Sequence, residues 1–142
     1  MTLFFFWAWM LYNQYQVWRW GRVSRNWPKT TGRVIVSGTT FGNLKRLPKY
    51  GVKIVYAYTV DGVLYTSSRY MFGIRWGMDQ YTARNIVARY QPEQIIKVHY
   101  HPERPRLAVL RPGIDGVEYV YGLIVNALVL GIWVVMLWAF LK

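Results

Sequence analysis

The chain has 142 residues, of which 54% are hydrophobic and 18% aromatic, and it carries 18 Lys and Arg against 6 Asp and Glu. That length fits one domain, or one domain with membrane segments, and the apolar fraction excludes intrinsic disorder. The net charge of +12 indicates an anionic partner or an anionic surface. Because the chain has no cysteine, a disulfide scaffold, a thiol enzyme and a cysteine-ligated metal site are excluded.

A first transmembrane helix is predicted at residues 1–20. Residues 3–12 are apolar, and residues 3–18 carry no charge and are just long enough to cross a bilayer. A cleaved signal peptide is disfavoured because the segment has neither a basic start nor a small-residue cleavage site. A helix lying flat at the interface is disfavoured because its first ten residues are apolar on every side.

The amides that follow need partners in an apolar setting. We expect interhelical polar contacts from Asn13, Gln16 and Asn126, with Gln14 beside them; the alternative is that these amides reach interfacial water.

Residues 21–116 are predicted to form a basic, mostly β domain that lies outside the membrane. Asp61-Gly62 separates two β-rich runs and predicts a type I′ hairpin turn, which would pair Val60 with Val63 and Tyr58 with Tyr65. Asp79 is predicted to cap a helix that runs through Arg89. The predicted strands are residues 32–38, 52–60, 63–68, 94–100 and 106–110. Five strands and one helix suggest a small, barrel-like sheet.

A second transmembrane helix is predicted at residues 117–142. Residues 119–141 carry no charge and would span roughly 34 Å as a helix, more than the bilayer core of about 30 Å. A buried core helix is disfavoured, because a domain this small would not cover so long an apolar cylinder. The fold class is therefore two transmembrane helices that flank a soluble β domain.

The distribution of basic residues predicts the orientation. Seventeen of the 18 Lys and Arg lie in residues 19–116, and six arginines lie next to the predicted helices. The positive-inside rule then places both termini outside and the β domain in the cytoplasm, for a multi-pass membrane protein.

Candidate chemistry is sparse. His99 and His101 lie two residues apart and are weak candidates for sharing a metal, since the sequence offers no clear third ligand. The acidic residues are scattered, and no phosphate loop, dinucleotide motif or serine-nucleophile motif is present. We therefore expect a protein that is not an enzyme and has no cofactor.

Clustered cations give the functional clue. Their candidate roles are binding of anionic lipid or of an acidic protein partner, with a role in topology and solubility alone as the alternative. Nucleic acid is disfavoured because a tethered domain already faces the membrane. The candidate lipid- or partner-binding residues are Lys45, Arg46, Lys49, Lys53, Arg69, Arg75 and Trp76.

Several short motifs carry a family resemblance: Trp27-Pro28 with Gly32-Arg33-Val34; Tyr56-x-Tyr58-x-Val60-Asp61-Gly62-x-x-Tyr65; and Val98-x-Tyr100-x-Pro102 with Pro105, residues 108–110 and Pro112-Gly113. The chain resembles the DUF3592 family of bacterial membrane proteins, and its flanking helices match as well. The resemblance implies an architecture and no activity. The chain departs from the family at Pro92-Glu93-Gln94, where the family tends to have a glycine.

These observations predict a non-enzymatic accessory or scaffold protein, whose basic domain binds a protein partner, or a second copy, at the anionic membrane surface. One alternative is an immunity-type protein that neutralises a membrane-acting toxin. A metal-binding or enzymatic protein centred on His99 and His101 is a further alternative, and a transporter fragment would require oligomerisation.

Overall fold

The computed structural model describes residues 2–44, 47–73, 77–114 and 116–141. The elements in chain order are α1 (Thr2–Ser24), β1 (Lys29–Leu44), β2 (Leu47–Val60), β3 (Val63–Ser67), α2 (Gln80–Arg89), β4 (Ile95–Tyr100), β5 (Ala108–Val109) and α3 (Gly116–Leu141).

The five strands form one antiparallel sheet in the order β3-β2-β1-β4-β5, which confirms the predicted number of strands. The first hairpin is longer than predicted: β1 and β2 stay paired as far as Leu44 and Leu47. Pro48 is paired with Asn43 near the end of the hairpin. A proline is tolerated at such a position because the loss of one backbone donor there interrupts little of the strand pairing. The last strand is shorter than residues 106–110 because only His99 and Tyr100 of β4 pair with it.

The turn between β2 and β3 has the predicted conformation. Asp61 and Gly62 have φ of 48° and 79°, as a type I′ turn requires. The register pairs Val60 with Val63 and Tyr58 with Tyr65, as predicted. The two tyrosine rings stack with centroids 5.8 Å apart.

Asp79 caps α2, also as predicted. Its carboxylate accepts hydrogen bonds from the Thr82 amide at 2.8 Å and the Thr82 hydroxyl at 2.6 Å. These bonds favour the charged form and hold the pKa of Asp79 below its ordinary value. The cap fixes the start of a helix that packs Ile86 and Tyr90 against the sheet.

Glu93 takes the place of the glycine that the resemblance leads one to expect, and it adopts a glycine-like conformation. Its φ is 67°, and the Gln94 amide donates to the Gln91 carbonyl at 3.1 Å. This is a turn with Pro92 at its second position and a positive φ at its third, where glycine is strongly preferred. The Glu93 carboxylate lies 3.2 Å from the Arg33 guanidinium, and both side chains are exposed.

Substitutions at Glu93 test this conformation. Glu93→Gly and Glu93→Ala both remove the carboxylate, but only alanine retains a Cβ in the left-handed region. We expect the free energy of unfolding of the glycine variant to be about 1 kcal/mol higher than that of the alanine variant. Urea titration of the full chain in mild detergent measures the difference, and equal stabilities would contradict the assigned turn.

The main core lies on one face of the sheet, beneath α2. It is centred on Tyr56 and Tyr58 of β2, which are 0% and 1% exposed. The other buried members of this core are Val34, Ile54, Val60, Tyr70, Met71, Ile96, Val98, Ala108 and Leu110.

The two edges of the sheet approach each other at one end. The Arg111 amide donates to the Tyr70 carbonyl at 2.8 Å, and the Leu110 amide donates to the Arg69 carbonyl at 3.4 Å. The Ser67 hydroxyl of β3 also lies 3.5 Å from the Ala108 carbonyl of β5. The segments that follow β3 and β5 therefore run side by side.

The end of α1 docks on the segment that leads into α3. The Ser24 hydroxyl donates to the Gly21 carbonyl at 2.7 Å and accepts from the Gly113 amide at 3.0 Å. Gly21 must remain glycine, because a Cβ there would overlap the side chain of Ile114. Both long helices thus leave the domain from one place.

Among the described residues, one helix is long and apolar enough to cross a membrane. It is the Tyr119–Leu141 segment of α3, with a mean hydropathy of 2.4 and 6% of its most apolar stretch buried. This segment lies within the predicted residues 117–142 and indicates membrane association. Helix α1 is not apolar enough over a comparable length, because its sequence also contains amides and arginines. Spanning by residues 1–20 stays a prediction.

Candidate functional site

An aromatic cluster joins α1 to the segments that precede β1 and follow β3 and β4. Trp27 is 4% exposed and packs edge-on to Phe72, with ring centroids 5.8 Å apart. The His101 ring lies 5.4 Å from Trp27 and 5.3 Å from Trp20 of α1. Two members of this cluster, Trp20 and Phe72, also line the space between α1 and the sheet.

A cleft of about 740 Å³, which we name cleft A, opens between α1 and the sheet. One wall is α1, and the other carries Lys53 from β2 and the segment 67–73 that follows β3. The wall on α1 displays Asn13, Gln16, Val17 and Trp20. The polar residues of α1 therefore face a cleft and not only the second helix.

A second cleft of about 570 Å³, cleft B, adjoins the first. It is lined by Tyr65, Pro105 and the arginines Arg104 and Arg106. Both clefts share Ser67, Arg69 and Leu107. The described lining residues of the two clefts include no aspartate or glutamate, so the combined surface is cationic.

Arg69 is held in place through its backbone. The Tyr56 hydroxyl donates to the Arg69 carbonyl at 2.9 Å, and the Arg69 amide donates to the Ser67 hydroxyl at 3.3 Å. Burial raises the pKa of Tyr56, so this hydroxyl stays a donor. The guanidinium carbon lies 5.2 Å from the centre of the Phe72 ring. The side chain is thereby directed to the boundary of the two clefts.

The loop 101–107 is fixed by a different set of bonds. The Tyr58 hydroxyl donates to the Pro105 carbonyl at 2.5 Å. The Nδ1 atom of His101 accepts from the amides of Glu103 and Arg104 at 3.1 and 3.2 Å. Because Nδ1 is an acceptor here, the proton of neutral His101 is on Nε2. The core tyrosine and the histidine together position the two arginines of cleft B.

Within the described part of the chain, the two histidines have no third ligand with which to form a metal site. Among the described residues, no group of three histidine, aspartate or glutamate side chains is placed to hold a metal ion. His101 lies beyond the end of β4, and its Nδ1 is occupied by backbone amides. His99 is buried in β4, directly opposite Lys29 of β1.

We expect His99 to make the stability of the domain depend on pH. Burial, followed by the positive charge of Lys29, lowers its pKa below the ordinary value. The imidazole of His99 therefore binds its proton at a higher pH in the unfolded chain than in the folded chain. The free energy of unfolding is highest above the ordinary histidine pKa. Stability then falls with pH until the folded state is protonated as well.

We therefore expect His99→Gln to flatten the dependence of unfolding free energy on pH just below neutrality. Urea titrations of the full chain at a series of pH values measure this slope. His101→Gln is the matched control, and an unchanged slope in His99→Gln would contradict the assignment.

The structure brings together part of the cationic set that the sequence singled out. Lys53 and Arg69 both line cleft A. Lys49 lies away from them, beside Gly77. Lys45, Arg46, Arg75 and Trp76 fall outside the described residues. Sequence reasoning counted Arg104 and Arg106 for membrane orientation but did not assign them to a binding site.

The contact between the long helices uses Gln14, one of the amides near Asn13 and Gln16 for which the sequence predicts a partner. Asn126 of α3 donates to the Oε1 atom of Gln14, and the Gln14 amide lies 3.4 Å from the Tyr119 carbonyl. Gln16 instead donates to the Tyr12 hydroxyl at 2.7 Å within α1. Asn126 lies at this contact, whereas Asn13 and Gln16 line cleft A. The reason is rotational: on a helix, Gln14 points about 100° away from Asn13.

A double-mutant cycle tests the interhelical bond. We expect Gln14→Leu and Asn126→Leu to be coupled by about 0.6–1.7 kcal/mol in the unfolding free energy of the full chain in detergent. The same cycle on Gln16 and Asn126 serves as the control and should show no coupling. Coupling in the second cycle but not in the first would contradict the arrangement.

Taken together, the fold and the clefts define a class: a small basic antiparallel β domain joined to a long apolar helix. The family model for the domain of unknown function DUF3592 matches residues 30–115, which is more than half of the chain. The chain belongs to this family, as its motifs indicated. Comparisons with curated proteins and with solved structures find no match.

Proposed function

We propose that this protein is a non-enzymatic membrane accessory or scaffold protein, whose basic β domain binds a protein partner at the anionic surface of the bacterial inner membrane. The proposal rests on the length, the apolar sequence and the exposure of α3. An apolar helix of 26 residues with a surface that is almost entirely exposed needs an apolar environment, and a bilayer supplies one.

A second span by α1 is part of the proposal. The Gln14–Asn126 bond places α1 against α3, and an amide pair between helices is a usual way to satisfy polar groups in lipid. Phe5 and Trp9 of α1 are 65% and 61% exposed, and a bilayer would cover them. The fold would then be a β domain suspended from two helices, and the bonds between its edges support a barrel-like shape.

The first hairpin is the feature of the domain that favours binding of a protein partner. Only Lys29–Arg33 of β1 pair with β4, and β3 pairs with β2 only from Tyr56 onward. Beyond these pairings, residues 37–44 of β1 have an open strand edge, and Phe41 there is 61% exposed. The edge of β2 is covered at Tyr50, which forms a backbone bridge to Met78. The open edge of β1 suits an extended segment of a partner or of a second copy.

Membrane attachment is tested by alkaline extraction of membranes from cells that express the chain. We expect the full chain to stay with the membrane pellet until detergent is added. The paired change Ile132→Lys with Val134→Lys should release it, because each charge costs about 2.5–3.5 kcal/mol in a bilayer. Phe41→Lys with Leu64→Lys is the matched control, since these side chains are about equally exposed but lie on the β domain. Release of the unmodified chain would overturn the proposal.

Sidedness and partner binding need separate measurements. The chain has no native thiol, so a cysteine at exposed Leu64 reports where the domain lies. A cytoplasmic domain resists a membrane-impermeant thiol reagent in intact cells and reacts after lysis. Co-purification from native membranes should recover a stoichiometric partner or a homo-oligomer. Recovery of a lone monomer would argue against the scaffold role.

A further inference from the structure

We propose that clefts A and B together form a discrete binding site for one anionic phospholipid, whose phosphate lies among Arg69, Arg104 and Arg106. The inference rests on the membrane location proposed above. It goes beyond a diffuse attraction between a basic domain and lipid, because it assigns a bounded site with a stoichiometry of one.

The cationic part of the site is built on fixed backbone. Arg69 is anchored by the Tyr56 and Ser67 bonds, and the loop that carries Arg104 is anchored by Tyr58 and His101. Arginine suits a phosphate, because its guanidinium presents two parallel donors to two phosphate oxygens. Lys53 adds a fourth positive charge on the wall of cleft A.

The course of cleft A distinguishes a lipid from a free phosphate compound. Cleft A follows α1 from Trp20 to Asn13, a length of about 10 Å at the rise of a helix. Its lining mixes polar side chains with apolar ones such as Val17 and Met71, and it leads from the arginines toward the apolar first half of α1. A ligand that fills both clefts and continues along that half of α1 has an anionic head and an apolar tail, which is the chemistry of a phospholipid.

The amides of Asn13 and Gln16 fit the same ligand. They lie on the α1 wall of cleft A. Their amide nitrogens are hydrogen-bond donors. The ester carbonyls between the phosphate and the tails of a phospholipid are acceptors that suit these donors.

The test uses the full chain, purified in a neutral detergent and titrated with dihexanoyl phosphatidylglycerol. Native mass spectrometry counts the bound lipids. Affinity is followed by the fluorescence of the eight tryptophans, of which Trp20 lies on the wall of cleft A. We expect saturation at one lipid per chain. Dihexanoyl phosphatidylcholine should bind more weakly, because its choline group meets the arginines.

A charge-matched pair of variants separates a site from general electrostatics. Arg104→Gln with Arg106→Gln should weaken binding by about tenfold, or about 1.4 kcal/mol. Arg84→Gln with Arg89→Gln removes the same charge from exposed positions on α2 and should leave affinity within about a factor of two. Both variants alter exposed side chains, so folding is expected to be retained. Equal weakening by the two variants would overturn the proposal.

In the last part of the test, the chain is titrated with inorganic phosphate and with glycerol 3-phosphate. Binding of either as tightly as the lipid would assign the clefts to a free phosphate compound and overturn the lipid assignment. Binding without saturation would overturn it as well. Failure here is distinguishable from failure of the proposed function, since a chain that resists alkaline extraction but binds no discrete lipid loses only this inference.

Discussion

Gly32→Ala is expected to destabilise the β domain by about 3 kcal/mol. Gly32 lies in β1, where a Cβ would come within 2.7 Å of the Val98 side chain and 2.8 Å of the Ala57 carbonyl oxygen. The backbone oxygen belongs to the ladder with β2 and has little room to move. This close approach is the physical reason for a glycine in the Gly32-Arg33-Val34 motif.

Gly38→Ala is the matched control in the same strand. A Cβ at Gly38 meets no atom within 4 Å, so alanine there should leave stability unchanged or raise it by about 0.4–1 kcal/mol. Urea titration of the full chain in mild detergent gives both free energies of unfolding. Equal effects of the two substitutions would contradict the strand packing described here.

Trp27→Ala has the other large expected effect, a loss of about 3–5 kcal/mol. The ring fills the space between Phe72, His101 and Trp20, so its removal leaves a cavity where α1 meets the sheet. We also expect weaker binding of phosphatidylglycerol, because Trp20 and Phe72 line cleft A.

Trp27→Phe separates packing from hydrogen bonding. The indole Nε1 of Trp27 is buried without a partner in the described structure, so its removal costs no hydrogen bond. Phenylalanine keeps an aromatic ring there, and the loss should be no more than about 1.5 kcal/mol. A phenylalanine variant as unstable as the alanine variant would contradict the packing assigned to this ring.

Local patterns made much of the β domain predictable. Asp61-Gly62 sets both the turn and the register across it, because few residues tolerate two successive positive φ angles. Asp79 was recognisable as a helix cap because its carboxylate reaches the amide three residues on. These features depend on neighbours in sequence, and a single chain displays them directly.

Strand ends were less predictable, since they depend on partners. The first hairpin continues past residues 38 and 52 because each strand supplies hydrogen bonds to the other. Likewise, the sequence identified the departure at Glu93 but not its outcome, in which a glutamate adopts the conformation of the expected glycine. The surrounding strands determine that turn more strongly than the residue's own preference.

The clefts could not be found from sequence spacing. Arg69 and Arg104 are 35 positions apart and meet because Tyr56 and Tyr58 hold the two segments from the same strand. Clustering along the chain instead favoured Lys45, Arg46 and Lys49, which are neighbours in sequence. The one available signal was the alternation of Tyr56 and Tyr58, since a buried tyrosine needs an acceptor for its hydroxyl.

The bond between the Ser24 hydroxyl and the Gly113 amide has a consequence for biogenesis. Its two partners are separated by 89 residues, so the first helix leaves the ribosome long before the segment that secures its end exists. The strand β5, which supplies the last pairing of the sheet, also lies in that late segment. Assembly of the domain therefore finishes only after residue 113 has left the ribosome, and until then the nascent sheet lacks its last strand and the anchor of α1.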